Sequence, residues 1–228
     1  MVSVVEGAAA TITVLTLAIG VDFRKGLASA LRSKEDWCRR HEYRWVIGGE
    51  EYWDRERPIP WSKVGFVLAE LERLPEGALV FLSDADVWIT NPAVRLEDVA
   101  VPLLPTEKDL LMTIDACGHI NSGNMLMRNS VWLRDWWRRV GEQRDLTYHI
   151  WWENAAMIRL LETEAVDFAK TEITGEHWRF NAYLRGLPGQ RLWQPGDLLV
   201  HFAGVYRVEE MVRLAAEIQA GGTPRIQM

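Results

Sequence analysis

Two aspartates separated by one residue follow an apolar run in the middle of the chain. The run covers residues 78–82, and Asp84 and Asp86 come almost directly after it. In an extended segment, residues two apart point to the same side, so we expect these two carboxylates to converge. Two nearby buried carboxylates repel each other, whereas a hard divalent cation can hold them together. The pattern therefore predicts a metal site of the kind that bridges a diphosphate, and a charged turn is the alternative.

The composition limits the class of protein. The chain has 228 residues, enough for a substantial core, and a net charge of -6, which argues against a broad nucleic-acid surface. An anionic substrate would then need a metal or a few basic side chains. Cys38 and Cys117 are far apart in sequence, which favours a reducing compartment over a disulfide framework.

The N-terminal residues 7–21 are almost free of charge but are too few to span a bilayer. Glu6 lies where a signal peptide would carry positive charge, so we expect neither a leader nor an anchor. These features predict a cytoplasmic enzyme, or alternatively a trimmed catalytic domain of a Golgi type.

The first part of the chain alternates between strand and helix patterns. A β-α-β-α-β order implies an α/β fold with a mostly parallel central sheet flanked by helices. Ligands of such sheets gather at the carboxyl ends of the strands, which is where Asp84 and Asp86 lie. The predicted elements are a strand at 11–17, a helix capped by Asp22, a strand at 44–47, a helix introduced by Pro58 and Pro60, and the strand at 78–82.

The rest of the chain is less regular, but no linker divides it. We therefore predict a single domain over 1–228, with a nucleotide-binding half at about 10–92 and an acceptor and catalytic half at about 93–228. The predicted strands are 109–114, 120–127, 165–169 and 198–202, and the predicted helices are 130–140 (capped by Ser130), 151–161 and 208–220.

Three further segments accompany Ser83-Asp84-Ala85-Asp86 in a fixed order: Trp61-Ser62-Lys63, residues 121–130 and residues 196–204. Together they resemble a family of retaining glycosyltransferases that includes fungal α-galactosyl- and α-mannosyltransferases and plant xyloglucan xylosyltransferases. The resemblance covers about residues 60–205. It implies a GT-A (nucleotide-diphospho-sugar transferase) fold, a divalent cation (Mn²⁺ or Mg²⁺), a UDP- or GDP-sugar donor, and transfer with retention to a hydroxyl acceptor such as a glycan.

The resemblance also assigns the metal ligands. Carried over residue by residue, Asp84 and Asp86 hold the cation and His201 is the third protein ligand. A carboxylate and imidazole set suits manganese. The alternative for His201 is a strand residue bonded to a neighbour. A zinc pair of Cys117 and His119 is disfavoured, because no second pair is spaced to complete four ligands.

Another group of residues matches the family segments near the donor sugar. Glu153 aligns with the family's acidic residue, which implies a place near the anomeric carbon as nucleophile or as electrostatic support. Asn154 stands where the family has Gln, so the reach of this amide differs. Asn121 and Gly123 match the segment that faces the sugar. The alternative for Glu153 is an acid placed at a helix start by the helix dipole alone, and the alternative for Gly123 is a turn or bulge next to a strand.

Contacts to the rest of the donor are predicted from five positions. Lys63 and Arg207 are candidates for the phosphates, with solvated surface charge as the alternative. Thr16 and Ala18, at the end of the first strand, are where this fold class receives the base. Gly204 closes the last family motif and is assigned to the donor site.

Twelve tryptophans are the unusual feature of the composition. They fit core packing or an acceptor groove, and Trp136-Trp137-Arg138-Arg139 also fits weak association with a membrane surface. Two other functions compete with the family interpretation. One is a glycogenin-like or other Asp-x-Asp enzyme, and the other is a non-catalytic carbohydrate-binding protein on the same fold.

Overall fold

A six-stranded sheet forms the centre of the computed structural model, which describes residues 11–115 and 117–226. Residues 7–10 of the apolar N-terminal stretch, and Ala116 between the predicted strands 109–114 and 120–127, lie outside the described residues. The strands are β1 (Thr13–Leu17), β2 (Arg44–Gly48), β3 (Leu79–Ser83), β4 (Val87–Ile89), β5 (Leu110–Ile114), β6 (Ile120–Arg128), β7 (Thr171–Thr174) and β8 (Leu199–His201). The α-helices are α1 (Val21–Gly26), α2 (Ala28–Arg40), α3 (Ser62–Arg73), α4 (Leu96–Val99), α5 (Val131–Glu142), α6 (Trp152–Thr163), α7 (Ala165–Lys170) and α8 (Val208–Gln219).

The strand order in this sheet is β2-β1-β3-β6-β5-β7. β6 runs antiparallel to both of its neighbours, and the other pairs are parallel. The predicted mostly parallel α/β sheet is therefore confirmed. β4 and β8 form a separate antiparallel ladder in which Val87 lies opposite His201. This small ladder brings the segment after β3 beside the end of the chain's last strand.

Helices cover both faces of the sheet. Alternate residues of a strand point to opposite faces, and β1 shows this directly. Leu15 packs in the same core cluster as Phe66 of α3, whereas Val14 packs with Trp37 of α2. α2 and α3 therefore pack on opposite faces of the sheet.

The beginnings of two predicted helices differ in outcome. Ser130 caps α5 as predicted, because its Oγ accepts a hydrogen bond from the Leu133 N–H at 3.0 Å. The prediction of Asp22 as an N-cap is wrong. Gly20 occupies the cap with a φ of 99°, Asp22 lies in the first turn, and the helix breaks at Leu27 into α1 and α2.

The predicted strand at 165–169 is wrong, since these residues begin α7. Val166 and Phe168 of this segment are exposed. Asp167 is buried instead, and its carboxylate pairs with the Arg139 guanidinium at 2.7 Å. The residue that α7 buries is thus an acid paired with Arg139, and β7 follows α7 directly.

The tryptophans divide between core and surface. Trp136 and Trp137 are fully buried and meet edge to face, so they belong to the core and are not available to a membrane surface. Trp151 and Trp152, directly before Glu153, are each about one-third exposed, at 37% and 36%. Within the described residues, we find no helix long and apolar enough to cross a bilayer.

Candidate functional site

The two aspartates lie in a tight turn between β3 and β4. The Val87 N–H donates to the main-chain oxygen of Asp84 at 3.2 Å, which closes a four-residue turn. The extended geometry expected for this segment is therefore wrong. The Asp84 N–H donates to Gly123 O at 2.7 Å, and the Phe202 N–H donates to Asp86 O at 3.1 Å. β6 and the end of β8 thus fix the two ends of the turn.

The turn nevertheless makes the two carboxylates converge, together with an imidazole. One ligand atom each of Asp84, Asp86 and His201 lies within 4.8 Å of the others. His201 Nε2 is 3.5 Å from Asp86 Oδ1. Burial alone would raise the pKa of Asp86, but His201 and Lys34 together lower it, which favours the charged carboxylate.

The donor set fits a divalent cation. Carboxylate oxygens suit Mg²⁺ and Mn²⁺, and an imidazole nitrogen adds a preference for the transition metal. Three protein ligands leave the remaining coordination positions of such a cation to other oxygen ligands, and Asp84 and Asp86 are both partly exposed. We call Asp84, Asp86 and His201 the acidic triad below.

Lys63 links the acidic triad to a second buried acid. Its Nζ lies 2.9 Å from Asp84 Oδ1 and 3.0 Å from Glu153 Oε1. Both Lys63 and Glu153 are almost fully buried, with residue exposures of 6% and 3%. Ser122 Oγ also donates to Glu153 Oε1 at 3.1 Å. In this structure the Lys63 ammonium therefore lies between two carboxylates, where the sequence predicted a phosphate contact.

The second oxygen of Glu153 is in a different situation. Among residues 11–115 and 117–226, Oε2 is buried and has no hydrogen-bond partner. Burial raises the pKa of Glu153, and the opposing attraction of Lys63 reduces that shift without removing it. Buried polar atoms in native proteins are normally paired, so this oxygen is available to a partner that the described residues do not supply. The role of Glu153 at the donor sugar stays a prediction.

Asn121 and Gly123 lie next to the acidic triad. The Gly123 N–H donates to Asn121 Oδ1 at 2.9 Å. A Cβ on Gly123 would collide with the His201 ring and lie 3.0 Å from its Nε2. The glycine is thus needed so that the imidazole can lie against β6.

The other predicted site residues have structural contacts of their own. Thr16 is buried and its hydroxyl donates to Ser83 O at 2.6 Å, while the Asn154 amide donates to Ile120 O at 2.8 Å and ties α6 to β6. Ala18 is buried at the end of β1. Arg207 is exposed, and its guanidinium is 4.0 Å from Glu209.

Gly204 follows β8 in a left-handed conformation, with a φ of 72°. A side chain there would collide with the Arg185 guanidinium. The glycine is therefore required by the backbone and by the close approach of Arg185.

Sequence reasoning missed three side chains of this region. Ser122 lies within the family segment at residues 121–130, but no role was predicted for it. Lys34 is fully buried and donates to Asp84 O. It lies on the same helical face as Ala30 and Cys38. A charged residue within an apolar stripe of a helix could therefore have been identified from the sequence as a buried charge. Asn181, which contacts His201, lies in a loop and gave no signal.

Comparisons with known proteins place the fold. The sequence model of the galactosyl transferase GMA12/MNN10 family matches residues 13–104. No protein of curated function matches the chain by sequence. Among solved structures, a glycosyltransferase involved in the glycosylation of the major capsid of PBCV-1 has a TM-score of 0.68 and 15% identity, over 90% of this chain and 99% of that one.

Two further structures extend the comparison. The galactosyltransferase LgtC, solved in complex with donor and acceptor sugar analogues, has a TM-score of 0.53 and 14% identity, over 90% of this chain and 95% of that one. Mouse xyloside xylosyltransferase 1 has a TM-score of 0.50 and 9% identity, over 85% and 98% of the two chains. At these identities the likeness is one of fold.

The mostly parallel sheet with an Asp-x-Asp turn at the end of its third strand is the GT-A fold, and the chain is a glycosyltransferase of this class. Within this class, residues 13–104 match the galactosyltransferase family that the ordered motifs resemble.

Proposed function

We propose that the protein is a metal-dependent enzyme that transfers a sugar from a UDP- or GDP-sugar to a hydroxyl acceptor, with retention at the anomeric carbon. The observation that carries this proposal is the acidic triad at the carboxyl end of β3, beside a second, partly unpaired acid, Glu153. Two carboxylates and an imidazole on one side of a site leave room for the diphosphate oxygens of a donor.

Asp84, Asp86 and His201 would hold Mn²⁺ or Mg²⁺. Bound there, the cation would neutralise the charge that develops on the departing nucleotide diphosphate. The main-chain bonds from β6 and from the residue after β8 hold the turn rigid, so the ligands need little rearrangement.

Glu153 would act at the sugar. Lys63 and Ser122 fix its Oε1, which leaves Oε2 to face the anomeric carbon as nucleophile or as a negative charge beside an oxocarbenium-like state. Retention by two successive displacements requires a carboxylate on the face of the sugar ring opposite the departing diphosphate. Asn121 and Asn154 lie on the elements that flank it and would line the sugar pocket.

The donor and acceptor classes rest on the neighbours and on the surface next to Glu153. LgtC was solved with donor and acceptor sugar analogues, and another neighbour transfers to a xyloside. The rings of Trp151 and Trp152 are partly exposed beside Glu153 and would suit a carbohydrate acceptor. We place the donor along β1 (Thr16, Ala18), in the nucleotide-binding half, with Gly123, Gly204 and Arg207 at its edge.

Calorimetric titration tests the proposal. UDP-galactose, UDP-xylose and GDP-mannose are titrated with and without Mn²⁺, and one of them should bind only with the metal. Asp86→Asn should abolish that binding, whereas Asp98→Asn, an exposed acid on α4, should leave it unchanged. If no donor binds in a metal-dependent way, the proposal fails. If one binds but no acceptor screen or hydrolysis assay releases nucleotide diphosphate, the carbohydrate-binding alternative is correct.

A further inference from the structure

A buried asparagine holds the imidazole of the acidic triad. Asn181 lies in the loop before β8 and is fully buried, as is most of His201. Asn181 Oδ1 is 2.8 Å from His201 Nδ1. The opposite ring nitrogen, Nε2, faces Asp86 Oδ1 at 3.5 Å. The proton on this ring therefore decides what the triad can bind.

A chain of hydrogen bonds fixes the orientation of the Asn181 amide. It starts at the main-chain N–H of Gly123, which can only donate, so the Asn121 atom 2.9 Å away is the acceptor Oδ1. The Asn181 atom that lies 3.0 Å from this oxygen must be a donor and is therefore Nδ2. Thr113 Oγ1 accepts from the same nitrogen at 2.9 Å.

The orientation of Asn181 in turn fixes the proton on His201. Its Oδ1 accepts from Asn124 Nδ2 at 2.7 Å and faces His201 Nδ1. An amide oxygen cannot donate, so Nδ1 carries a hydrogen. In the neutral ring, Nε2 then presents a lone pair to the Asp86 carboxylate. Two acceptors that face each other in a buried site need a cation or a proton between them.

We propose that Asn181 is a positioning residue that keeps His201 in its Nδ1–H tautomer, so that Nε2 is the nitrogen that binds the cation. This inference rests on the metal role given to the triad under the proposed function. Outer partners of a ligating histidine fix its tautomer and its ring direction, and their loss commonly weakens metal binding 10- to 100-fold.

Metal affinity of the purified chain tests the inference without any turnover assay. Mn²⁺ binding is measured by electron paramagnetic resonance of the free ion. Asn181→Leu removes the acceptor at nearly constant volume and should weaken Mn²⁺ binding about 10- to 100-fold. Asn124→Leu is the matched control. It removes an equally buried amide from the same network without touching His201, and should change the affinity by less than about threefold.

A second measurement needs no Asn181 variant and so is independent of its folding. Two-bond ¹H–¹⁵N spectra of the metal-free wild type, at about pH 8 where an ordinary imidazole is neutral, report the tautomer of each ring. The chain has five histidines, and His201→Gln assigns the relevant signals. We expect a hydrogen on His201 Nδ1, either in the neutral Nδ1–H form or, with a second proton between Nε2 and Asp86, in the doubly protonated ring.

The outcomes separate the two proposals. Wild-type protein that does not bind Mn²⁺ would overturn the metal role, while the tautomer would still be read from the spectra. Wild-type binding that survives unchanged in Asn181→Leu, or a His201 ring that carries its hydrogen on Nε2 alone, would overturn the role of Asn181 and leave the triad intact.

Discussion

Two buried lysines reach the same aspartate from opposite faces of the sheet. Lys63 of α3 contacts the Asp84 side chain at 2.9 Å and Glu153 at 3.0 Å. Lys34 of α2 donates instead to the main-chain oxygen of Asp84. Both ammonium groups are out of contact with bulk water, yet only Lys63 is paired with carboxylates at contact distance.

The difference in partners reverses the electrostatic outcome. Burial lowers the pKa of Lys34 to about 8, although the charges of Asp86 and Asp84 oppose the shift. Burial acts on Lys63 in the same direction, but contact with Asp84 and Glu153 outweighs it and raises the pKa of Lys63. A buried ammonium thus remains firmly charged only where carboxylates touch it. Lys63 is part of an ion-pair network, and Lys34 supports a turn.

The largest expected effect comes from removing Lys63. Lys63→Met leaves Asp84 and Glu153 without their shared partner, so the free energy of unfolding should fall by about 3–5 kcal/mol, and activity should be lost. Urea denaturation measures the first quantity.

The double variant Lys63→Met, Glu153→Gln is the control for this explanation. It removes the stranded acid together with its partner and should recover a large part of the lost stability. If the free energy of unfolding of Lys63→Met remains within about 1 kcal/mol of wild type, the ion pairs of Lys63 do not set it apart from Lys34.

The next effect concerns the acid that Lys63 fixes. Glu153→Gln keeps the shape but removes the charge near the reacting carbon, so turnover should fall about 100-fold or more, while donor affinity changes by less than about threefold. Initial rates and calorimetry measure the two quantities. Glu162→Gln is the matched control, since Glu162 is exposed on the same helix. Wild-type turnover in Glu153→Gln would exclude its catalytic role.

The surroundings of Lys63 could be predicted from the sequence better than those of Lys34. Trp61-Ser62-Lys63 and the Asp-x-Asp segment are local patterns with apolar surroundings, so their positions at a helix start and a strand end could be inferred. The parallel sheet followed from the order of strands and helices. Lys34 was readable only as a charge within an apolar helical stripe, and it was missed.

Contacts made between distant loops were not predictable. The turn at Asp84 depends on hydrogen bonds from Gly123 and Phe202, which are far from it in sequence. Asn181 meets His201 only because its loop packs between β6 and β8. The α7 segment was mistaken for a strand, and the residue it buries is Asp167, whose carboxylate pairs with Arg139 of α5. Such pairings are set by tertiary structure and leave no periodic pattern.

A smaller effect is expected from the other lysine. Lys34→Met keeps the aliphatic stem but removes a positive charge close to the acidic triad. Mn²⁺ should then bind more tightly, by roughly tenfold, because like charges in a partly buried site repel by more than about 1 kcal/mol over several ångströms. Lys25→Met, at an exposed position of α1, is the control. Unchanged or weaker Mn²⁺ binding in Lys34→Met would contradict this prediction. It would show that the hydrogen bond from Lys34 to the turn contributes more to Mn²⁺ binding than the repulsion between the ammonium and the cation takes away.

The smallest effect is a pH dependence that tests how completely Lys63 pairs with Glu153. Burial raises the pKa of Glu153 above its ordinary value of 4.5 in spite of Lys63, so the folded chain keeps a proton that the unfolded chain has lost. Stability falls with pH where the folded state binds more protons. The unfolding free energy of wild type minus that of Glu153→Gln, in metal-free buffer, should therefore decrease as the pH rises from about 4 to about 7. A difference that increases over this range would mean that pairing with Lys63 outweighs burial, and that Glu153 is ionised more readily in the folded protein than it is in water.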